Sequence, residues 1–169
     1  QHATNLLSGS KNAYEDRLEF LRVQIVFWLL AAIDGHGKNF SIALDQDGYR
    51  LTPIYDVLSA YPYFGQGNIQ AKKIKMAMKV HSKNTHYKWN EILARHWPEH
   101  AKKQGIPEAQ TLAIMAYLSE KVEQTLSSQM NSVTEQIETS LKEAVTASDK
   151  FSAELEETNK NIKSLGLRN

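Results

Sequence analysis

Asp34, Asn39 and Asp56 are the side chains whose types and spacing suit a reaction centre. The first two bracket Asp34-Gly35-His36-Gly37-Lys38-Asn39, a polar loop with two glycines. Phe40, Ile42 and Leu44 then alternate with Ser41 and Ala43, which reads as a short strand. Asp45-Gln46-Asp47-Gly48 is a hairpin turn signal, and Tyr49, Leu51 and Pro53 form the return. Counting back from the turn sets Asn39 opposite roughly residue 54, with Asp56 just beyond. Two carboxylates and one carboxamide thus meet at one end of a hairpin. Hard cations such as Mg²⁺ take oxygen ligands of this kind, with water and phosphate completing the shell. Asn39 and Asp56 suit that role, and Asp34 suits accepting a proton from an attacking hydroxyl or orienting it. Together they are a minimum set for phosphoryl transfer, where positioning and charge neutralisation do most of the catalysis. Spacing alone equally allows Asp34-Gly35 to end a helix, Asn39 to cap a turn and Asp56 to start a helix.

The element behind the loop must be rigid. From Asn12, Tyr14, Leu18, Leu21, Ile25 and Leu29 recur at helical spacing. Asn12 and Glu15 suit a capping box, and from Val23 the helix is apolar almost all round, as in the middle of a core. It is expected to stop near Asp34-Gly35. Residues 1–10 read as a loop or cut end. Residues 61–69 read as an aromatic loop, and 72–80 as a strand with one wet, basic face. Residues 85–103 and 107–130 read as helices, and a third helical stretch runs from about Val133 to about Leu165. Ser148 and Thr158 fall on its heptad positions, so packing on its own domain is expected rather than a coiled coil.

The 169 residues carry a net charge of +1 and no cysteine. Disulfides and thiolate chemistry are excluded, and a reducing compartment, the cytoplasm, is the expectation. The longest apolar run, Ile25 to Ile33, falls short of the roughly 20 residues of a spanning helix. Residues 70–103 hold nine lysines and arginines against Glu91 and Glu99, a local excess that can attract a polyanion. His96 and His100 share helical spacing, but Pro98 lies between them and no third ligand is evident; both read as exposed or partly buried. His81 and His86 share no face.

The segments Asp34–Ser41, Tyr49–Val57 and Lys75-Met76-Ala77-Met78 resemble the C-terminal lobe of HipA-type serine/threonine protein kinases, the toxin halves of bacterial toxin–antitoxin pairs. The strong resemblance covers about residues 14–80 and continues weakly to about 110. It implies an α+β, mainly helical fold: the large lobe of a protein-kinase-like fold with a small β-hairpin at the catalytic loop. It implies Asp34 as the catalytic aspartate, and Asn39 and Asp56 as Mg²⁺ ligands. His36, Gly37, Lys38, Asn39, Tyr55 and Asp56 would line ATP. Gly37 stands where alanine is common, an exchange expected to be tolerated. The implied partners are a HipB-like helix-turn-helix antitoxin, an aminoacyl-tRNA synthetase as protein substrate and, through the antitoxin complex, operator DNA. Lys102, beside Lys103, falls where the family has a DNA-contacting lysine, while Gly105 replaces an arginine.

Nothing here resembles the family's N-terminal lobe, with its phosphate-covering loop and strand lysine. Gly65-Gln66-Gly67 does not fill that gap. The expectation is a fragment of a full kinase, a lobe completed by a separate chain, or a silent remnant; the non-Met start favours the first. The expected organisation is a linker or cut end over 1–11, the lobe over 12–130 and a helical segment over 131–169. The expected function is ATP- and Mg²⁺-dependent phosphorylation of serine or threonine in a protein. The alternative is a non-catalytic module that binds antitoxin or operator DNA.

Overall fold

The computed structural model describes residues 2–64 and 69–164. Gly65-Gln66-Gly67, the middle of the expected aromatic loop, and Leu165 lie outside them. Contacts divide the chain into two units, residues 1–120 and 121–169.

The first unit is built around one buried helix. A short α1 (His2–Leu7) replaces the loop expected at the start. Its one buried residue, Leu7, anchors it. Then α2 (Ala13–Leu29) runs through the core, with Leu21 and Ile25 wholly buried and Phe27 nearly so. Each such side chain contributes about 1.5–3 kcal/mol by leaving water. Asn12 makes no side-chain cap, contrary to expectation; its backbone carbonyl accepts from Asp16 N–H at 2.8 Å.

The helix also ends five to six residues early. Ala31 takes a left-handed φ of 47°. Its N–H donates to Trp28 O at 3.2 Å, and Ala32 N–H donates to Phe27 O at 2.7 Å. These two bonds form a Schellman cap, with alanine where glycine is usual. Ala31 is fully buried, so its small side chain fits a site that packing closes. A sequence pattern keyed to glycine passes over it.

Two hairpins flank α2. β1 (Ile42–Asp45) pairs antiparallel with β2 (Gly48–Leu51), in the register Ile42↔Leu51 to Asp45↔Gly48. Gly48 sits at φ 139°, a backbone shape that favours glycine. β3 (Lys75–His81) pairs with β4 (Thr85–Lys88). Along β3, Met76 and Val80 are buried while Lys75 and Lys79 are exposed, as the alternation implied. The helix expected over 85–103 is instead β4, a single 3₁₀ turn at Trp89–Glu91 and a short α3 (His96–Lys102). Met76 and Val80, Ile92, Trp97, Ala101, Ile106 and Ile114 close the core against α2.

The last element, α4 (Glu108–Ser164), is continuous, so the two helices expected from residue 107 onward are one. Every described residue from Glu123 to Ser164 is exposed. Among the described residues no helix is long and apolar enough to cross a membrane.

Candidate functional site

The hairpin β1–β2 is docked on α2 by a buried carboxylate. Asp16 Oδ2 accepts from Leu51 N–H at 3.0 Å, and Lys11 N–H donates to Tyr49 O at 2.9 Å. Beyond the strands, Thr52 donates to Ser41 O through both its N–H (2.9 Å) and its hydroxyl (3.1 Å). Tyr55 continues the stitching: its hydroxyl donates to Lys38 O at 2.8 Å and lies 2.8 Å from Ser41 Oγ. Phe40 packs under the loop against Phe20 and Phe27, with ring centroids 4.8 and 5.9 Å away. The loop 34–39 and the segment 52–56 are thereby held side by side.

Asn39 and Asp56 meet there. Asn39 is buried, at the end of a 3₁₀ turn over Gly37–Asn39. Its Oδ1 accepts from His36 N–H at 3.0 Å, and its Nδ2 donates to Asp56 Oδ2 at 3.0 Å. Those two bonds fix the carboxamide's orientation. Asp56 is exposed to solvent and sits at φ 57°. Aspartate tolerates that region better than most residues, but holding it there still costs free energy that surrounding contacts must offset. Asp34 lies at the loop mouth with its side chain 90% exposed, 3.8 Å from His36 Nε2. The geometry therefore joins Asn39 to Asp56 directly and leaves Asp34 facing water at the same loop.

The solvent-facing Asp56 carboxylate is an oxygen ligand of the type Mg²⁺ prefers. Asn39 is 3% exposed, with Oδ1 on His36 N–H and Nδ2 turned toward Asp56, so its amide oxygen would have to serve a cation with its second lone pair. His36 Nδ1 is buried without a hydrogen-bond partner among the described residues.

The two loop glycines differ sharply. A Cβ on Gly37 would meet nothing within 4 Å, whereas one on Gly35 would run into the buried Phe27 ring. Gly37→Ala should leave the unfolding midpoint unchanged, in line with the tolerance expected there. Gly35→Ala should lower stability by about 1–3 kcal/mol, the usual cost of overpacking. Urea titrations of both variants check the contrast.

The lysines singled out for DNA both lie on the surface near the end of α3. Lys102 is exposed, and Lys103 Nζ donates to Ser82 O at 2.6 Å. The histidines are corrected. His96 and His100 are both buried, and each meets a partner from the β3–β4 hairpin. His86 stacks on His96 with centroids 3.8 Å apart, and His81 on His100 at 6.2 Å. Among the described residues no group of three or more His, Cys, Asp or Glu could hold a metal ion. The Asp16 anchor and the Tyr55–Ser41 contact escaped the sequence reading. A hydroxyl two residues past Asn39 facing a tyrosine before Asp56 was the available signal.

A domain of mixed, mainly helical structure, with polar groups gathered where a hairpin returns to its loop, is the class defined by this geometry. The family model described as the HipA-like C-terminal domain matches residues 1–126, so the chain belongs to that family. The resemblance read from the Asp34–Ser41 and Tyr49–Val57 segments is borne out. A Sinorhizobium fredii (strain NBRC 101917 / NGR234) protein named "Putative kinase Y4mE" is 36% identical over 93 residues, 54% of this chain and 20% of that protein. The chain thus spans about a fifth of that curated relative. A solved complex described as the Shewanella oneidensis MR-1 toxin–antitoxin system HipA, HipB and its operator DNA has a similar fold. The TM-score is 0.61 at 19% identity, over 73% of this chain and 27% of that one.

Proposed function

We propose that this chain supplies the catalytic loop and metal-binding side of a HipA-type serine/threonine protein kinase. The observation that carries the reading is the pairing of Asn39 Nδ2 with Asp56 Oδ2 at 3.0 Å beside the exposed Asp34. Asn39 Oδ1 and the Asp56 carboxylate would hold Mg²⁺. The ion, when bound, supplies charge neutralisation on the ATP phosphates. Asp34 accepts the proton of an attacking serine or threonine hydroxyl, or orients it. His36, Gly37, Lys38 and Tyr55 line the nucleotide, with Tyr55 holding Lys38 in place through its carbonyl. A phosphate-covering lobe, which this chain's residues do not resemble, completes the site. The protein substrate is of the aminoacyl-tRNA synthetase class and the antitoxin is HipB-like.

Calorimetric titration with Mg²⁺–ATP tests the reading. The protein carrying the covering lobe should bind it at one site and lose most affinity when Mg²⁺ is withheld. Residues 1–169 alone should bind weakly. Metal-independent binding by the complete protein would remove the assignment.

The net-basic stretch over 70–103 supports a second role, contact with operator DNA in an antitoxin complex. Exposed lysines suit phosphate contacts, which ask for charge more than for identity. Lys102→Ala should reduce the slope of log affinity against log salt by about one if that side chain meets a phosphate. Fluorescence anisotropy with operator DNA and the antitoxin reads the slope. Absence of any binding at low salt would end this role.

A further inference from the structure

Within its own unit, residues 121–169, α4 presents an apolar stripe that no other described residue covers. From Leu126 to Ile162, nine large apolar side chains are 43–70% exposed. Helices in proteins draw most of their stability from packing an apolar face rather than from local propensity. Over the second half the stripe follows heptad spacing. Leu141, Ser148, Leu155 and Ile162 occupy one core position. Ile137, Ala144, Phe151 and Thr158 occupy the other. Steps of four and three residues alternate throughout, the repeat that keeps a seam facing a partner helix.

We infer that α4 pairs with α4 of a second copy as a parallel, in-register coiled coil. Two observations name a copy as the occupant. The first is where the charges lie. Lys142, Glu143, Asp149, Lys150, Glu156 and Glu157 all fall on heptad positions that point away from the seam. Glu138 and Glu154 flank it, and in parallel register they face Val133 and Asn159 of the other copy. No like charges are set against each other, so the acidic excess does not oppose self-pairing. The second is area. The six of these on core positions, Met130, Ile137, Leu141, Phe151, Leu155 and Ile162, carry on the order of 700 Å² of exposed surface per copy, and Val133 and Val145 flank them, which brings the seam to about the 800 Å² a side of a standard interface.

Ser148 and Thr158, whose place on heptad positions argues against a coiled coil in the sequence, are the polar positions of this seam and cost it stability that the apolar positions must offset. Both are small and uncharged, and each meets itself across a parallel pair. The inference is independent of the kinase assignment.

The chain has no cysteine, so single replacements report the pairing cleanly. Ser148→Cys and Thr158→Cys should each form an interchain disulfide under mild oxidation, since in-register core positions bring their Cα atoms within disulfide reach. The unmodified chain should sediment as a dimer. Phe151→Asp should convert it to a monomer while near-ultraviolet circular dichroism, which reports Trp97 in the core, stays unchanged. Crosslinking at Ser148→Cys alone marks an antiparallel arrangement and overturns the parallel pairing. A monomer at all concentrations, or a dimer that survives Phe151→Asp, overturns the seam altogether.

Discussion

Under the proposed kinase assignment, Asp56→Asn in the complete protein is expected to reduce phosphoryl transfer by roughly a hundred- to a thousandfold or more, with folding intact. The substitution is chosen from the geometry. Asparagine tolerates a left-handed φ such as the 57° seen at this position. Its side-chain oxygen can still accept from Asn39 Nδ2, as Asp56 Oδ2 does at 3.0 Å. What it lacks is the negative charge that a divalent cation needs. Asp56→Ala goes further: it removes the acceptor and places alanine in a left-handed conformation, a strain of about 1–2 kcal/mol. Asp34→Ala should cost roughly a hundred- to ten-thousandfold by deleting the proposed proton acceptor. Its side chain is 90% exposed, so the core is untouched. Initial rates of phosphorylation, with urea midpoints as the folding control, check all three. Activity surviving both Asp34→Ala and Asp56→Ala would remove the catalytic roles.

Acid should destabilise the first unit through His100. Its pKa is lowered to about 4, first by burial and then by the neighbouring His81 and Lys103. The hydrogen bonds agree. His100 Nδ1 accepts from His81 N–H at 3.1 Å, and Nε2 lies 3.3 Å from Gln24 Oε1. A proton on Nδ1 would set one N–H against another. The unfolded chain protonates near 6.5 and the folded one near 4, so between these values the unfolded state binds more protons. The stabilisation is complete above about pH 6.5 and is lost as pH falls toward 4, by about 3 kcal/mol in all. Burial also lowers the pKa values of His81 and His96, which act in the same direction. Urea midpoints measured across this range should fall steeply for the natural chain and less so for His100→Gln. Equal slopes for the two would assign the acid sensitivity elsewhere.

Some of this architecture is legible in the residues. Counting outward from Gln46-Asp47 set Asn39 against residue 54, and the observed register Ile42↔Leu51 extends to that same pairing. The turn type and the alternation of apolar residues suffice, because both are local. The buried character of α2 beyond Val23 is legible for the same reason. Its end is not, because Ala31 adopts a glycine-like conformation that only tertiary packing enforces. Residues 85–88 carry helix-compatible spacing, yet β3 offers an unpaired edge next to a short turn, and pairing wins. The histidine stacks are invisible to spacing along the chain, since each joins the hairpin to α3. At the site, residue types pointed to Asn39 and Asp56. The left-handed φ of Asp56 and the stitching by Tyr55 depend on three segments meeting in space.

The most direct measurement is a crystal structure of the complete protein grown with Mn²⁺ and a non-hydrolysable ATP analogue, read at the manganese absorption edge. The expected result is an anomalous peak roughly 2–2.3 Å from both Asn39 Oδ1 and an Asp56 carboxylate oxygen, with the analogue's phosphates on its far side and Asp34 facing the terminal phosphate. A metal bound elsewhere, or a nucleotide seated away from the 34–39 loop, would contradict the account.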